Sequence, residues 1–193
     1  MPQPLIFATN NAHKVEEVRL ILGNKFTIQT LREAGIDQDI PEPHDTLQAN
    51  AAEKAETIFR LTGKACFSED TGLEVHALGG APGVHSARYA GEGRDFDANI
   101  TKLLHALDGQ VDRSAQFRTV ICLIQADGSS HFFEGICSGH IQANRSGGAG
   151  FGYDPVFVPT GDSRSFAEMT GEEKNQFSHR RKAMDQLIAF LQS

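Results

Sequence analysis

The stretch AQFRTVICLIQADGSSHFFEGICSGHIQ, residues 115–142, contains the strongest fold signal in this sequence. Two long apolar-rich runs, 115–125 and 130–142, flank Asp127-Gly128. An Asp-Gly pair between two such runs is typical of a β-hairpin. We therefore predict two long antiparallel strands joined by a two-residue turn at Asp127-Gly128, with Cys122 opposite Phe133.

Strand and helix signals lie on both sides of this hairpin. Apolar runs predict strands, and apolar residues at helical spacing between capping residues predict helices. The predicted strands are 5–8, 25–30 and 65–67, the last running into an acidic turn at 68–72, and the predicted helices run up to Gly23, from Thr46 to Gly63, from about Asp95 to Gly109, and from Ser178 onward. These elements predict an α/β fold with an elongated mixed β-sheet that contains the long hairpin and is flanked by helices.

The composition is that of an ordinary globular protein. The 193 residues are 39% hydrophobic and 22% charged, which predicts one domain over residues 1–193. The net charge of −7 disfavours a nucleic-acid partner, since neutralising backbone phosphates needs an excess of Lys and Arg.

No stretch approaches the roughly 20 apolar residues of a membrane span, and the N-terminus lacks the pattern of a signal peptide. We expect a cytoplasmic protein without a membrane partner.

The three cysteines, Cys66, Cys122 and Cys137, lie in apolar surroundings without metal-ligand spacing. The predicted hairpin places Cys122 and Cys137 roughly 13 Å apart, too far for a disulfide. We therefore predict buried, reduced thiols.

A polar turn, Thr9-Asn10-Asn11-Ala12-His13-Lys14, connects the first predicted strand to the first helix. Unpaired backbone N–H groups and the helix dipole make such a place suitable for phosphate. The alternative is an asparagine N-cap followed by a solvated lysine. The segment is not a Walker loop, because Gly-x-x-x-x-Gly-Lys occurs nowhere.

Acidic residues crowd the end of the third predicted strand. Glu69, Asp70 and Glu74 lie there, and Glu42 lies in a proline-stiffened loop. Carboxylates of this kind suit Mg²⁺, and a spare one could activate water. The alternative is an acidic turn that is merely solvated.

Two further segments have the character of ligand sites. Glycines at 147, 148, 150 and 152 allow close approach of the backbone to a ligand, while Phe151 and Tyr153 offer flat faces for a base. The alternative is a mobile surface loop.

Positive charge gathers around the start of the last predicted helix, where cations are unfavourable without an anionic partner, although solvated surface charge would also explain it. The residues concerned are Lys174, His179, Arg180 and Arg181.

The order of these segments resembles the ITP/XTP pyrophosphatase family of nucleotide house-cleaning enzymes from end to end. The similar segments are Ile6–Asn11 with Lys14, Asn50-Ala51 with Lys54-Ala55, Glu69–Leu73, Gly79–Gly83 with Ser86–Gly91, Gly150–Pro155, and Lys174 with Ser178-His179-Arg180. The resemblance implies two lobes with the active site between them. It also implies a homodimer that, with Mg²⁺, hydrolyses ITP, dITP or XTP to the monophosphate and pyrophosphate and so keeps deaminated purines out of DNA and RNA.

The resemblance also implies roles for individual residues. Asp70 becomes the general base and a metal ligand, Glu42 becomes a second metal carboxylate, and Lys14, Lys174 and Arg180 offset triphosphate charge. Phosphate and sugar are held by Thr9, Asn10, Asn11, Ala12, His13, Lys14 and Thr71, and the base by Phe151, Gly152, Tyr153, Asp154, His179 and Arg180.

Some positions depart from the family pattern. Glu69 stands where the family commonly has Asp, Thr71 where Ser is frequent, and His85 where Tyr is frequent. Ala49 stands where a glutamate usually precedes Asn-Ala, so the role of that carboxylate is lost here. Two other readings remain: a pyrophosphatase for other modified nucleotides, and a nucleotide-sensing module without catalysis.

Overall fold

A seven-stranded mixed sheet with helices packed on it forms the fold in the computed structural model, which describes residues 4–193. The α/β fold class predicted from the sequence is confirmed. The elements are β1 (Leu5–Phe7), α1 (Ala12–Leu22), β2 (Ile28–Thr30), α2 (Leu47–Thr62), β3 (Cys66–Val75), β4 (Pro82–Gly83), α3 (Phe96–Ala106), β5 (Ser114–Ile124), β6 (Ser130–Ile141), β7 (Phe157–Pro159), α4 (Gly171–Asn175) and α5 (His179–Gln192). The strand order is β2-β1-β3-β5-β6-β7, with β4 paired to β3. β1 is parallel to β2 and β3, whereas β3–β4 and β6–β7 are antiparallel.

Helices α1, α2 and α3 begin where the capping residues predict, and α1 and α2 end at the predicted Gly23 and Gly63, whereas α3 ends at Ala106, before the predicted Gly109. Asn11 Oδ1 accepts from Lys14 N at 3.2 Å, and Thr46 and Asp95 cap α2 and α3 in the same way. Gly63 ends α2 in the left-handed conformation that glycine adopts most easily. These ends position Lys14 in the first turn of α1.

The chain forms two compact units, and each has its own core. The first contains the described residues up to 70, together with 119–135 and 180–193. Its two hydrophobic clusters lie on opposite faces of β5: Ile121 and Leu123 belong to one, Cys122 and Ile124 to the other. The second unit contains residues 71–118 and 136–179, and α3, β7 and Phe166 pack into one cluster there.

The hairpin is confirmed, but its predicted turn is wrong by one residue. Gly128 N donates to Gln125 O and Gln125 N donates to Ser129 O, so Ala126 and Asp127 are the central turn residues. Gly128 follows them with a positive φ of 84°, which suits a bulge. Cys122 therefore does not oppose Phe133: the two side chains pack into clusters on different faces of the sheet.

The acidic segment 68–72 is not a turn, because it lies inside β3. The sequence shows no apolar alternation there, and its buried carboxylates are stabilised by cations from distant parts of the chain. The second strand is also shorter than predicted, and β7 and α4 have no counterpart among the predicted elements.

All three cysteines are buried thiols outside any disulfide, as predicted. Burial raises the pKa of Cys66 and of Cys122 to about 12, so both thiols stay protonated near neutral pH. Across residues 4–193, each helix is too short or too polar to cross a lipid bilayer.

Candidate active site

The turn between β1 and α1 is organised by its own side chains. Asn11 Oδ1 caps the helix, Thr9 Oγ1 accepts from Asn11 N at 3.1 Å, and Asn10 Nδ2 donates to Gln38 O at 3.2 Å. Ala12 and His13 are exposed on the first turn. The asparagine N-cap is thus present, but Lys14 is not a solvated lysine. Its Nζ lies 3.0 Å from Glu69 Oε1, and its side chain is only 14% exposed.

Strand β3 supplies two neighbouring buried carboxylates that face different partners. Successive side chains of a strand point to opposite faces. Glu69 contacts Lys14 and Arg180, whereas Asp70 contacts Lys54. The fold therefore separates two adjacent acidic residues into two distinct charge clusters.

Lys54 of α2 connects the Asp70 carboxylate to Glu42. Its Nζ donates to Glu42 Oε1 at 2.6 Å, to Asp70 Oδ1 at 3.3 Å and to Glu69 O at 2.8 Å. The sequence places Lys54 within a motif of the resemblance but predicts no role for it. Helical spacing provides the one available signal: Lys54 follows Asn50 by four residues on the buried face of α2.

One oxygen of the buried Asp70 carboxylate has no donor among the described residues. The residue is 6% exposed, and within the described part of the chain its Oδ2 has no hydrogen-bond partner. Burial raises the pKa of Asp70, and the Glu42 carboxylate adds to the rise, while Lys54 and Lys14 oppose it. A buried acceptor without a donor is costly, so its presence indicates a functional requirement.

The ammonium of Lys54 stays charged in this group. Burial opposes the charge, but the carboxylates of Asp70 and Glu42 outweigh it and raise the pKa of Lys54. All three of its donors have acceptors, so Lys54 holds the Asp70 carboxylate by Oδ1 and leaves Oδ2 available.

Glu69 is the centre of the other charge cluster. Arg180 binds it through two nitrogens, Nε to Oε2 at 2.7 Å and Nη2 to Oε1 at 3.0 Å. Arg180 Nη1 also pairs with Glu17 of α1. Burial would raise the pKa of Glu69, but Arg180 and Lys14 hold it well below its usual range. Sequence reasoning missed Glu17, whose one signal is its position one turn after Lys14.

The donor set around Asp70 fits a magnesium ion bound partly by substrate. Among residues 4–193 there is no group of three or more His, Cys, Asp or Glu side chains that could hold a metal ion. Glu42 and Asp70 share one lysine, and Asp70 Oδ2 is available. Mg²⁺ commonly binds through one or two carboxylates plus phosphates and waters. Glu74 instead binds Gln116 and Arg118.

The second unit contains a group built around Asp154. Asp154 Oδ2 accepts from Phe151 N at 3.0 Å and from Lys174 Nζ at 2.7 Å. The Lys174 ammonium lies 5.2 Å from the centre of the Phe151 ring and 5.3 Å from that of Phe166. The structure thus unites three of the predicted substrate residues, Phe151, Asp154 and Lys174, in one partly buried arrangement of cation, carboxylate and aromatic ring.

The remaining predicted residues of this unit have defined contacts. Tyr153 is buried and its hydroxyl donates to Ser86 O at 2.7 Å, while Gly152 has a positive φ of 61°. His179 is buried with its ring stacked on Phe117 at 4.7 Å. Thr71 is half-buried in β3.

Known proteins resemble this chain over nearly all of its length. The model of the Ham1 family matches residues 5–190. A dITP/XTP pyrophosphatase of Porphyromonas gingivalis is 56% identical over 190 residues, covering 98% of this chain and 97% of the relative. The solved structure of the Staphylococcus aureus Ham1 protein superposes with a TM-score of 0.89 at 38% identity, covering 98% of each chain. A HAM1 protein from Coxiella burnetii gives a TM-score of 0.89 at 34% identity, covering 99% of each chain.

The fold and its buried charge clusters define an α/β protein with a candidate hydrolytic site. The match in sequence and structure then places it: the chain belongs to the Ham1 family.

Proposed function

We infer that this protein is a pyrophosphatase that hydrolyses deaminated purine nucleoside triphosphates, dITP, ITP and XTP, to the monophosphate and pyrophosphate. The observation that carries the inference is Asp70, a buried carboxylate held by Lys54 at Oδ1 with Oδ2 left without a donor in the described chain. The relatives named dITP/XTP pyrophosphatases support the choice of substrate. A nucleotide-sensing module has no need for such a base.

We propose a reaction that uses the charged residues of the first unit. The Asp70 carboxylate takes a proton from water as the water oxygen bonds to the α-phosphorus, and the bond from that phosphorus to the bridging oxygen of the β-phosphate breaks. Pyrophosphate leaves with that oxygen. Lys14 offsets the negative charge of the phosphates, while Lys54 keeps the Asp70 carboxylate oriented.

Mg²⁺ is proposed as the cofactor, with Glu42 and Asp70 as the protein ligands. When bound, the metal supplies positive charge to the leaving pyrophosphate. The oxygen donors fit this ion, because carboxylates suit hard cations.

Base recognition is assigned to the Asp154 group and His179. Hypoxanthine and xanthine carry a 6-oxo group that accepts a hydrogen bond, whereas adenine carries a 6-amino group that donates. A site whose donors meet the 6-oxo group therefore rejects ATP, since an unpaired buried donor is costly. We also propose a homodimer located in the cytoplasm.

Pyrophosphate release from dITP, XTP, GTP and ATP tests the proposal, measured with Mg²⁺ and again with excess chelator. We expect metal-dependent release from dITP and XTP and little from GTP or ATP. Release of single phosphates, or equal rates on all four nucleotides, would contradict the assignment.

A matched pair of variants locates the activity. Lys14→Met should raise the KM for dITP, because it removes the cation that offsets phosphate charge. Lys25→Met, which removes an exposed lysine beyond the end of α1, should leave both kinetic constants unchanged. A similar loss in both variants would mean that general charge, not Lys14, governs substrate binding.

A further inference from the structure

Each of the three nitrogens of the Arg180 guanidinium contacts a carboxylate oxygen. Nε and Nη2 donate to Glu69, and Nη1 pairs with Glu17. The side chain is 1% exposed. We call this arrangement of Arg180 with Glu17 and Glu69 the Arg180 clamp. In it the guanidinium is committed to the protein, although the sequence predicts a contact with substrate.

The clamp controls the carboxylate to which Lys14 is attached. Glu69 Oε1 accepts from Arg180 Nη2 at 3.0 Å and lies 3.0 Å from Lys14 Nζ. Lys14 is more exposed than either partner, at 14% against 0% for Glu69 and 1% for Arg180. Glu17 is 18% exposed but carries a negative charge, so Lys14 is the cation of this cluster that an incoming phosphate can reach.

We propose that Glu17 and Arg180 are positioning residues: Glu17 orients Arg180, Arg180 holds Glu69, and Glu69 presents Lys14 to the phosphates of the substrate. The inference rests on the proposed function in taking phosphate as the partner of Lys14. It assigns to Glu17 a role that requires no contact with substrate.

Charge balance explains why Arg180 needs two carboxylates. Two cations, Lys14 and Arg180, balance two anions, Glu17 and Glu69, and buried charges are tolerated only when they are paired. When Lys14 turns toward a phosphate, Arg180 remains on Glu69 and is then the cation that both carboxylates share. Glu17 holds Arg180 in place during that exchange, so the cluster does not collapse.

A double-mutant cycle tests the proposal without requiring turnover. The affinity for inorganic tripolyphosphate is measured by calorimetry in metal-free buffer for the wild type, Glu17→Gln, Lys14→Met and the double variant. As a single substitution, Glu17→Gln should weaken tripolyphosphate binding about tenfold, the usual size of an effect from a residue that supports a ligand-binding residue. In the Lys14→Met background it should cause no further loss, because the clamp acts through Lys14. A purely structural role would reduce affinity equally in both backgrounds.

Matched variants separate positioning from loss of charge and from misfolding. Glu16→Gln removes an exposed carboxylate from the same turn of α1 and should leave affinity unchanged. Arg180→Lys keeps the charge but cannot bridge two carboxylates. It should therefore weaken tripolyphosphate binding in the otherwise wild-type protein and not in the Lys14→Met background, as Glu17→Gln does. If thermal unfolding shows that Glu17→Gln is unfolded, Arg180→Lys takes its place in the cycle.

The outcomes distinguish this inference from the proposed function. Equal losses in both backgrounds, no loss from either clamp variant, or no binding of tripolyphosphate by the wild type would overturn it. Pyrophosphate release from dITP is followed in parallel. If the wild type released none while the coupling to Lys14 held, the proposed function would fail and the clamp would stand.

Discussion

Asp70 combines features that a residue selected for stability alone would avoid. Its carboxylate is buried, one of its oxygens has no donor in the described residues, and Glu42 lies across the shared lysine. A carboxyl group whose pKa is raised by folding destabilises the folded state as the pH rises from its unfolded pKa through its folded pKa, because the unfolded chain ionises first. Function and stability therefore oppose each other at this position.

Asp70→Asn should abolish most of kcat and raise the thermal midpoint at pH 7. Loss of the base stops proton transfer, while removal of a buried charge stabilises the fold. A rise of about 2–4 °C corresponds to roughly 1 kcal/mol in a protein of this size. Differential scanning calorimetry and pyrophosphate release measure both effects, with the exposed Asp108→Asn as the control. Near-normal turnover, or a lower midpoint than the wild type, would contradict the prediction.

Glu69 should make the stability of the protein sensitive to acid. Its pKa is well below its usual range when folded, whereas an unfolded glutamate titrates near pH ~4.3. Its contribution is complete above that value and is lost as the pH falls toward the folded pKa, because only the unfolded state takes up the proton. Urea unfolding at pH 6 and pH 3 should show a smaller drop in unfolding free energy for Glu69→Gln than for the wild type. An equal drop in the two proteins would show that Glu69 is not the source.

At the scale of elements, β3 explains why two adjacent acidic residues act differently. The strand alternation turns Glu69 toward Arg180 and Lys14 and Asp70 toward Lys54. A turn, which the sequence predicts for this segment, imposes no such separation. The strand therefore places a fully ion-paired carboxylate, Glu69, beside Asp70, for which we propose the catalytic role.

The glycine-rich segment after β6 gives a sharp test of the Asp154 group. Gly150 has a φ of +77°, and a Cβ there would lie 2.1 Å from Asp154 Oδ2. Gly150→Ala should displace Asp154 from Phe151 N and Lys174, lower the unfolding free energy by about 2 kcal/mol and raise the KM for dITP. Urea unfolding and steady-state kinetics measure the two effects.

Gly148 provides the matched control for that substitution. A Cβ at Gly148 meets nothing within 4 Å. Gly148→Ala should therefore change stability by less than about 0.5 kcal/mol. If both substitutions were equally tolerated, the contact between residue 150 and Asp154 would not organise this segment.

For the whole molecule, the proposed homodimer predicts a dependence on protein concentration. Association stabilises the folded state by mass action, so the thermal midpoint of a dimer rises with concentration. Light scattering should give twice the 21.0 kDa mass of one chain. A single-chain mass with a midpoint that does not change with concentration would contradict the dimer.

Local sequence patterns were sufficient for the elements whose signals are local. Asn11, Thr46 and Asp95 predict three helix starts because a capping side chain bonds to its own first turn. The hairpin follows from Asp127-Gly128, although its turn begins one residue earlier, because the same two residues are compatible with a bulge. The family resemblance led to Asp70, Lys14 and the Asp154 segment, whose proposed roles remain predictions.

The long-range charge pairing was not accessible from the sequence. Arg180 meets Glu69 across 111 positions and Glu17 across 163, and Lys54 meets Asp70 across 16. The acidic segment 68–72 is predicted to be a turn because the sequence does not reveal the cations that neutralise it. Those cations lie on other elements. Caps and turns depend on neighbours within a few residues, whereas a buried ion pair forms only after the sheet and helices have brought its partners together.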